Sequence, residues 1–261
     1  MDNRPIGVFD SGLGGLSVWR SLREALPCES LLYLGDGKNC PYGSRSADEI
    51  RRFSVEAVRC LLDNGCKLIV VACNTATAVA VKYLREMYAD IQFVGLEPAV
   101  KPACLTTRSG VVGVLATARS LEGELFLRTS SLYADKVKIL KAVGEGFVEA
   151  VENNAEDSPE TETLVRRVLE PMLDAGADRI VLGCTHYPFL RTLMERIIGS
   201  RDVEVLDSGA AVARRTALLL EQSGLCADEG HTAEYVFMTF ADEDYRRRLE
   251  SKAFAKEKTE L

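Results

Sequence analysis

Short apolar runs alternate with amphipathic segments along nearly the whole of this 261-residue chain. Continuous apolar runs of about four to eight residues are typical of strands in a parallel sheet that is covered on both faces. The pattern predicts strands at 5–9, 30–35, 67–72, 91–95, 111–116, 136–141, 179–183, 203–207 and 233–240. Because segments with helical periodicity lie between these strands, we expect an α/β fold with mainly parallel sheets.

Two of the helical segments carry clear start signals. In 46–64, Ser46 and Glu49 have the spacing of a capping box, and apolar residues then recur on one face. A second helix is predicted to begin at Ser158-Pro159, since proline at the first helical position needs no N–H group. Pro171 lies inside the same periodic segment, so we expect a kink or a split there.

Two stretches of the chain resemble each other. LDNGCKLIVVAC at 62–73 and LDAGADRIVLGC at 173–184 share Leu, Asp, Gly, Ile, Val and the final Cys in the same order. A second pair, IGVFDSG at 6–12 and VGVLATA at 112–118, is displaced by nearly the same number of residues. A repeat of this kind indicates a duplicated α/β unit.

The duplication predicts two pseudo-symmetric open α/β domains that face one another, with the active site in the cleft between them. We expect the first domain to be discontinuous, formed by residues 1–96 and 210–261. The second domain is expected to comprise residues 97–209.

Composition narrows the class of protein. The net charge is −7 and the isoelectric point is about 5.1, so no basic surface indicates a nucleic-acid or membrane partner. The N-terminal sequence lacks the apolar core of a signal peptide, and no apolar run has the length of a membrane span. None of the eight cysteines forms a CxxC pair. We therefore expect a cytoplasmic protein with reduced thiols.

Two cysteines end predicted strands. Ligands of open α/β sheets bind beyond the carboxyl ends of the strands, where Cys73 and Cys184 are expected to lie. Asn74-Thr75 follows the first cysteine and Thr185 follows the second, each read as the start of a helix. The amides of a helix N-terminus favour a thiolate and also bind carboxylates. Each half of the chain would then offer an activated thiol beside an anion site.

Two thiols on opposite sides of a small ligand suit a reaction whose substrate and product are mirror images. Such a reaction needs a base on one face of a carbon and an acid on the other face. Both protonation states of a thiol are accessible near neutral pH, so either thiol can serve in either role. The sequence therefore favours racemisation by proton transfer.

The chain also resembles a known enzyme family, glutamate racemase. The resemblance is carried by DSGLGG at 10–15, PYG at 41–43, ACNTA at 72–76, EPAVKPA at 97–103 and GCTHYPFL at 183–190. It implies racemisation of L-glutamate to D-glutamate for bacterial peptidoglycan, without a cofactor or a metal. It also implies that the protein is a homodimer. The small-molecule ligand that it implies is the substrate, glutamate.

The same resemblance assigns roles to individual residues. Cys73 and Cys184 would be the paired acid/base residues, with Asp10 assisting the first, and His186 and Glu152 assisting the second. The positions that match the family's substrate-binding residues are Asp10, Ser11, Tyr42, Gly43, Asn74, Thr75, Thr117, Thr185 and His186.

Several alternatives remain open from the residues alone. The turn at 12–17 approximates a GxGxxG nucleotide motif with Asp36 as a ribose-binding acid, although Ser17 occupies the sixth position. The chain could also be an aspartate or hydantoin racemase. A redox switch would join Cys73 to Cys184 in a disulfide. The Cys184-x-His186 spacing could begin a zinc site, but no second closely spaced pair accompanies it.

Overall fold

The computed structural model describes residues 1–255, which form two compact units. One unit comprises Met1–Leu96 and Gly209–Ala255, and the other comprises Glu97–Ser208. Residues 256–261, which we assigned to the first domain, lie outside the described residues.

Each of the nine predicted strands is present, with bounds that differ from the prediction by at most two residues. The strands are β1 (Ile6–Asp10), β2 (Leu31–Gly35), β3 (Leu68–Val71), β4 (Gln92–Gly95), β5 (Val111–Ala116), β6 (Lys138–Val143), β7 (Arg179–Gly183), β8 (Glu204–Leu206) and β9 (Tyr235–Thr239). The α-helices are α1 (Leu16–Ala25), α2 (Ala47–Asp63), α3 (Asn74–Met87), α4 (Val100–Thr106), α5 (Ala118–Glu122), α6 (Glu124–Ser131), α7 (Phe147–Glu152), α8 (Pro159–Asp174), α9 (Arg191–Ile198), α10 (Gly209–Ser223) and α11 (Glu243–Phe254).

The two sheets share one topology. The first has the strand order β4-β3-β1-β2-β9, the second has the order β6-β5-β7-β8, and every strand pair is parallel. Read in reverse, the second sheet is β8-β7-β5-β6, so β5, β6, β7 and β8 correspond in order to β1 to β4. This correspondence confirms the two pseudo-symmetric α/β units. The first unit differs by adding β9 beside β2.

The repeated stretches adopt the same backbone in both units. Gly65 follows α2 with φ of 78°, and Gly176 follows α8 with φ of 87°. Both values lie in the left-handed region, where glycine ends a helix without steric cost. The strand that follows each glycine is fully buried along its length. The sequence repeat is therefore a repeat of structure.

The helix signals are confirmed at two starts, and the second of these helices is not split at Pro171. Ser46 and Glu49 form both bonds of a capping box at the start of α2. Ser158 caps α8 by accepting from the N–H of Thr161 at 3.1 Å. The expected split at Pro171 does not occur, because that proline lies in the last turn and α8 continues to Asp174. Only one intrahelical bond is lost there.

Most residues of the strands are buried, and polar residues gather where the strands end. Asp10, Ser11, Asp36, Asn74 and Thr75 are buried at the carboxyl ends of β1, β2 and β3. Buried polar groups require hydrogen-bond partners, so this edge of the sheet is where chemistry is expected. Among the described residues, no helix combines the length and the hydropathy that crossing a bilayer would require.

Candidate active site

Cys73 lies between β3 and α3 and is 4% exposed. It is the N-cap residue of α3, and its Sγ accepts a hydrogen bond from the N–H of Ala76 at 3.4 Å. The predicted helix start after Cys73 is therefore confirmed. The positive end of the helix dipole lies next to this sulfur, which favours its thiolate form.

Asp10 and Ser11 lie beside Cys73 because β1 and β3 are neighbouring parallel strands. The Sγ of Cys73 is 3.7 Å from the Oγ of Ser11. The buried Asp10 carboxylate accepts from the N–H of Gly12 at 2.9 Å. A Cβ atom at Gly15 would lie 2.5 Å from the Cβ of Asp10, so only glycine fits this turn. The DSGLGG sequence thus packs its backbone tightly around a buried carboxylate.

Tyr42 lies in a short 3-10 helix, Tyr42–Ser44, in the loop after β2. Its hydroxyl donates to Oδ2 of Asp36 at 2.7 Å. Burial first, and then the negative charge of Asp36, raises the pKa of Tyr42, so the hydroxyl remains a donor. Because this hydroxyl already donates its proton to Asp36, a carboxylate bound at Tyr42-Gly43 would have to accept from backbone N–H groups. Asp36 is equally committed, which argues against its role as a ribose-binding acid.

Cys184 follows β7 and is 6% exposed. The expected helix start directly after Thr185 is wrong. A turn comes first, then a 3-10 helix at Tyr187–Leu190, and α9 begins only at Arg191. Pro188 lies in the first turn of the 3-10 helix and has no N–H to donate, which favours this tighter, short geometry. Cys184 therefore lacks the α-helix N-terminus that Cys73 has.

A histidine and a glutamate lie near Cys184. Nδ1 of His186 lies 3.9 Å from the Sγ of Cys184, and its Nε2 lies 2.7 Å from Oε1 of Glu152. His186 is 2% exposed. If Nε2 carries the proton and donates a hydrogen bond to Glu152, Nδ1 has the lone pair that could accept a proton from the thiol. The carboxylate would hold the imidazole in that orientation, as in other base–orienter pairs.

Glu152 is the last residue of α7, and a buried aromatic contact fixes that helix. The rings of Phe147 and Tyr187 meet edge to face, with centroids 5.1 Å apart. The Tyr187 hydroxyl donates to the carbonyl of Gly144 at 3.3 Å. Burial and then the neighbouring Cys184 raise the pKa of Tyr187, which keeps its hydroxyl protonated. Tyr187 thus joins the segment that carries His186 to the helix that carries Glu152.

The remaining candidate residues lie next to the two thiols along the chain. Asn74, Thr75 and Thr185 are nearly fully buried. Oδ1 of Asn74 makes no hydrogen bond to any described residue, so it is an acceptor still to be satisfied. Thr117 caps α5 by accepting from the N–H of Ser120 at 3.2 Å. It follows β5 and is displaced by one residue from the Ala116–Gly183 register pair, which puts it near Cys184.

Each unit therefore places polar side chains near a buried thiol. In the first unit Ser11 lies near Cys73, with Asp10 next to it in the chain, and in the second the His186–Glu152 pair lies near Cys184. Sequence reasoning did not single out Tyr187, and it considered Asp36 only as a nucleotide ligand. The signal for Tyr187 was its place in GCTHYPFL, and the signal for Asp36 was its position at a strand end.

The comparison with protein families gives one match. The family model described as Asp/Glu/Hydantoin racemase matches residues 6–216, which is most of the chain. A curated relative named glutamate racemase, from Roseiflexus sp. (strain RS-1), is 51% identical over 85% of this chain and 81% of its own length.

Solved structures agree with the sequence relatives. A glutamate racemase isoform from Bacillus anthracis has a TM-score of 0.85 and 30% identity, covering 97% of this chain and 94% of that one. The glutamate racemase from Francisella tularensis in complex with D-glutamate has a TM-score of 0.82 and 28% identity, covering 99% and 96%. Both likenesses extend over both units of the fold.

Proposed function

Because this chain belongs to the Asp/Glu/Hydantoin racemase family and is a glutamate racemase within it, we propose that it interconverts L- and D-glutamate by two-thiol proton transfer. Cys73 and Cys184 act from opposite faces of the substrate's α-carbon. The observation that supports this most directly is the recurrence of a buried thiol at the ends of the equivalent strands β3 and β7, with Ser11 near the first and His186 near the second.

One turnover transfers two protons and leaves the enzyme balanced. The thiolate of one cysteine removes the α-proton and becomes a thiol. The electron pair left on the α-carbon then takes a proton from the opposite thiol, which becomes a thiolate. The reverse reaction uses the same two groups with their roles exchanged, and solvent exchange restores the starting protonation.

The proton-handling groups differ between the two sides. The N-terminus of α3 favours the thiolate form of Cys73. The Asp10 carboxylate accepts a proton from this thiol or returns one to it. His186 serves Cys184 through Nδ1, and Glu152 keeps the other ring nitrogen protonated. The two equivalent thiols thus have different neighbouring acid/base groups, which is compatible with a site that acts on both L- and D-glutamate.

Substrate recognition divides between the two carboxylates of glutamate. Buried amides and hydroxyls beside the thiols hold the α-carboxylate and the amino group; they belong to Ser11, Asn74, Thr75, Thr117 and Thr185. The Tyr42-Gly43 backbone receives the side-chain carboxylate. Exclusion of water around the substrate strengthens these contacts in the transition state, where charge develops at the α-carbon.

The cellular role follows from the product. D-glutamate made in this reaction supplies peptidoglycan synthesis in the cytoplasm, where the enzyme acts as a homodimer without a cofactor. The bound D-glutamate in the Francisella tularensis relative is consistent with the same ligand here.

The test is racemisation in D₂O. The purified protein is incubated with L-glutamate, and in parallel with L-aspartate, without added cofactor. We expect early D-glutamate to carry deuterium at the α-carbon while the remaining L-glutamate keeps its proton, because separate thiols remove and return it. Product that retains the substrate's proton would contradict the two-thiol scheme. Racemisation of aspartate at an equal rate would contradict the substrate assignment.

A further inference from the structure

We propose that Asp36 is a positioning residue that holds the Tyr42-Gly43 loop at the distance required by the side-chain carboxylate of glutamate. The proposal deepens the function above and rests on it. It concerns how the enzyme distinguishes glutamate from aspartate, whose side chain is one methylene shorter.

Asp36 occupies a special place in the first unit. It directly follows β2, is fully buried, and donates its backbone N–H to the carbonyl of Asp10 at 2.9 Å. Asp36 is therefore attached by its backbone to the strand end that carries the helper of Cys73. A carboxylate at such a site is costly to bury unless hydrogen bonds compensate.

All the side-chain bonds of Asp36 to described residues go to the loop that follows it. Nδ2 of Asn39 donates to both carboxylate oxygens, at 3.1 and 2.9 Å, and the Tyr42 hydroxyl donates to Oδ2 at 2.7 Å. Bonds to a charged acceptor are stronger than neutral ones. The carboxylate thus fastens the loop at two points, one on each side of the Cys40-Pro41 pair.

The Tyr42 ring makes this fastening rigid. It packs against Phe53 and Phe9, with ring centroids 5.6 and 6.2 Å apart. The ring belongs to an apolar cluster of this unit that also contains Cys73. Movement of the Tyr42 backbone would require its packed aromatic ring to move as well. The loop backbone is therefore locked relative to the core on one side and to the end of β2 on the other.

Loss of the carboxylate charge should release the loop. In Asp36→Asn, the amide group keeps only one acceptor oxygen and turns an N–H toward Tyr42 or Asn39. One of those donors then loses its partner. A loosened loop no longer favours the longer side chain of glutamate. We therefore expect KM for glutamate to rise about tenfold while kcat stays within about twofold of the wild-type value. The preference for glutamate over aspartate should fall.

The companion variants separate positioning from stability. Tyr42→Phe removes one donor, and we expect a smaller rise in KM for glutamate. The double variant should be no worse than Asp36→Asn, because both changes break the same bond. Thr216→Val is the matched control: it removes another fully buried hydroxyl in the same unit, which bonds only its own helix through the carbonyl of Val212. That control should leave KM unchanged.

Kinetics and thermal unfolding of the full chain are measured for each variant. If Asp36→Asn lowers Tm but leaves KM and the glutamate-to-aspartate ratio as in the wild type, the residue is only structural and the proposal is wrong. Additive effects in the double variant would also contradict it. If the wild-type protein itself does not racemise glutamate, the proposed function fails instead, which is a different outcome.

Discussion

At the scale of single residues, the two equivalent thiols have unequal surroundings. The Sγ of Cys73 accepts from a backbone N–H and lies near Ser11, whereas the Sγ of Cys184 lies near the His186 ring. This difference makes the roles of the thiols separable by mutation.

Replacing either thiol by serine should abolish racemisation. Cys73→Ser and Cys184→Ser each leave one face of the α-carbon without an acid/base group, so we expect kcat to fall at least about 100-fold. Either variant should still eliminate slowly from a glutamate analogue with a good leaving group, because that reaction needs only one face. Cys60→Ser is the control thiol. Full racemisation by either site variant would disprove the two-thiol scheme.

Glu152, which is hydrogen-bonded to His186, should contribute to kcat through its negative charge. In Glu152→Gln the side-chain oxygen can still accept from Nε2, but the negative charge that supports a protonated imidazole is gone. We expect kcat to fall about tenfold, the lower end for the loss of an orienting carboxylate. Glu149→Gln, an exposed carboxylate on the same helix, is the control. Equal kcat values in steady-state assays of both variants would refute the role of Glu152.

At the scale of elements, the turn before β5 is held by the residue that precedes β7. Asp178 accepts from the hydroxyl of Thr107 at 2.5 Å and from the N–H groups of Arg108 and Ser109 at 2.7 and 3.1 Å. Burial by itself would raise the pKa of Asp178, but these hydrogen bonds outweigh it and lower the pKa to about 2. The folded state therefore favours the carboxylate.

The sign of this effect predicts acid sensitivity. A pKa depressed by folding stabilises the protein above the unfolded value of about 3.9, and the stabilisation is lost as pH falls toward 2. Asp178→Asn should lower the free energy of unfolding at pH 7 by about 2 kcal/mol and flatten its dependence between about pH 4 and pH 2. Urea unfolding across that range measures both. Exposed Asp174→Asn, the control, should keep the wild-type slope.

At the scale of the whole molecule, the second sheet repeats the order of four strands of the first. A thiol at the end of β3 and another at the end of β7 are consequences of that repeat. The residues near the thiols depart from this repeat, because β1 ends in Asp10 where β5 ends in Ala116, and the His186–Glu152 pair lies near Cys184. The repeat thus accounts for the paired cysteines, and the local differences account for their unequal surroundings.

Substrate should stabilise the folded chain. A ligand that binds only the folded state raises the free energy of unfolding by about 2.7 kcal/mol at 100 times its Kd. We expect glutamate, but not aspartate, to raise Tm of the Cys73→Ser variant, which binds substrate without turning it over. Thermal unfolding with increasing D- and L-glutamate measures this. A Tm that is unchanged by glutamate at saturating concentrations would argue against binding.

Local patterns were enough to predict the elements and the positions of the thiols. The apolar runs predicted every strand, and the Ser46 and Ser158 caps predicted two helix starts. Such signals depend on residues within one turn or one strand, so the sequence contains them in full. The internal repeat extended them to the two-unit architecture, and the family motifs indicated which residues to examine.

Only the tertiary structure decided which side chains meet. Glu152 precedes His186 by 34 residues, and no periodicity brings them together; the edge-to-face packing of Phe147 on Tyr187 does. The commitment of Tyr42 to Asp36 and the 3-10 turn after Cys184 likewise depend on burial and on a proline in context. The sequence by itself determined the elements and the two thiols, because these follow from short-range pattern and repetition. The partners of those thiols were decided by the topology of the sheets, because strand order and core packing bring distant segments of the chain into contact.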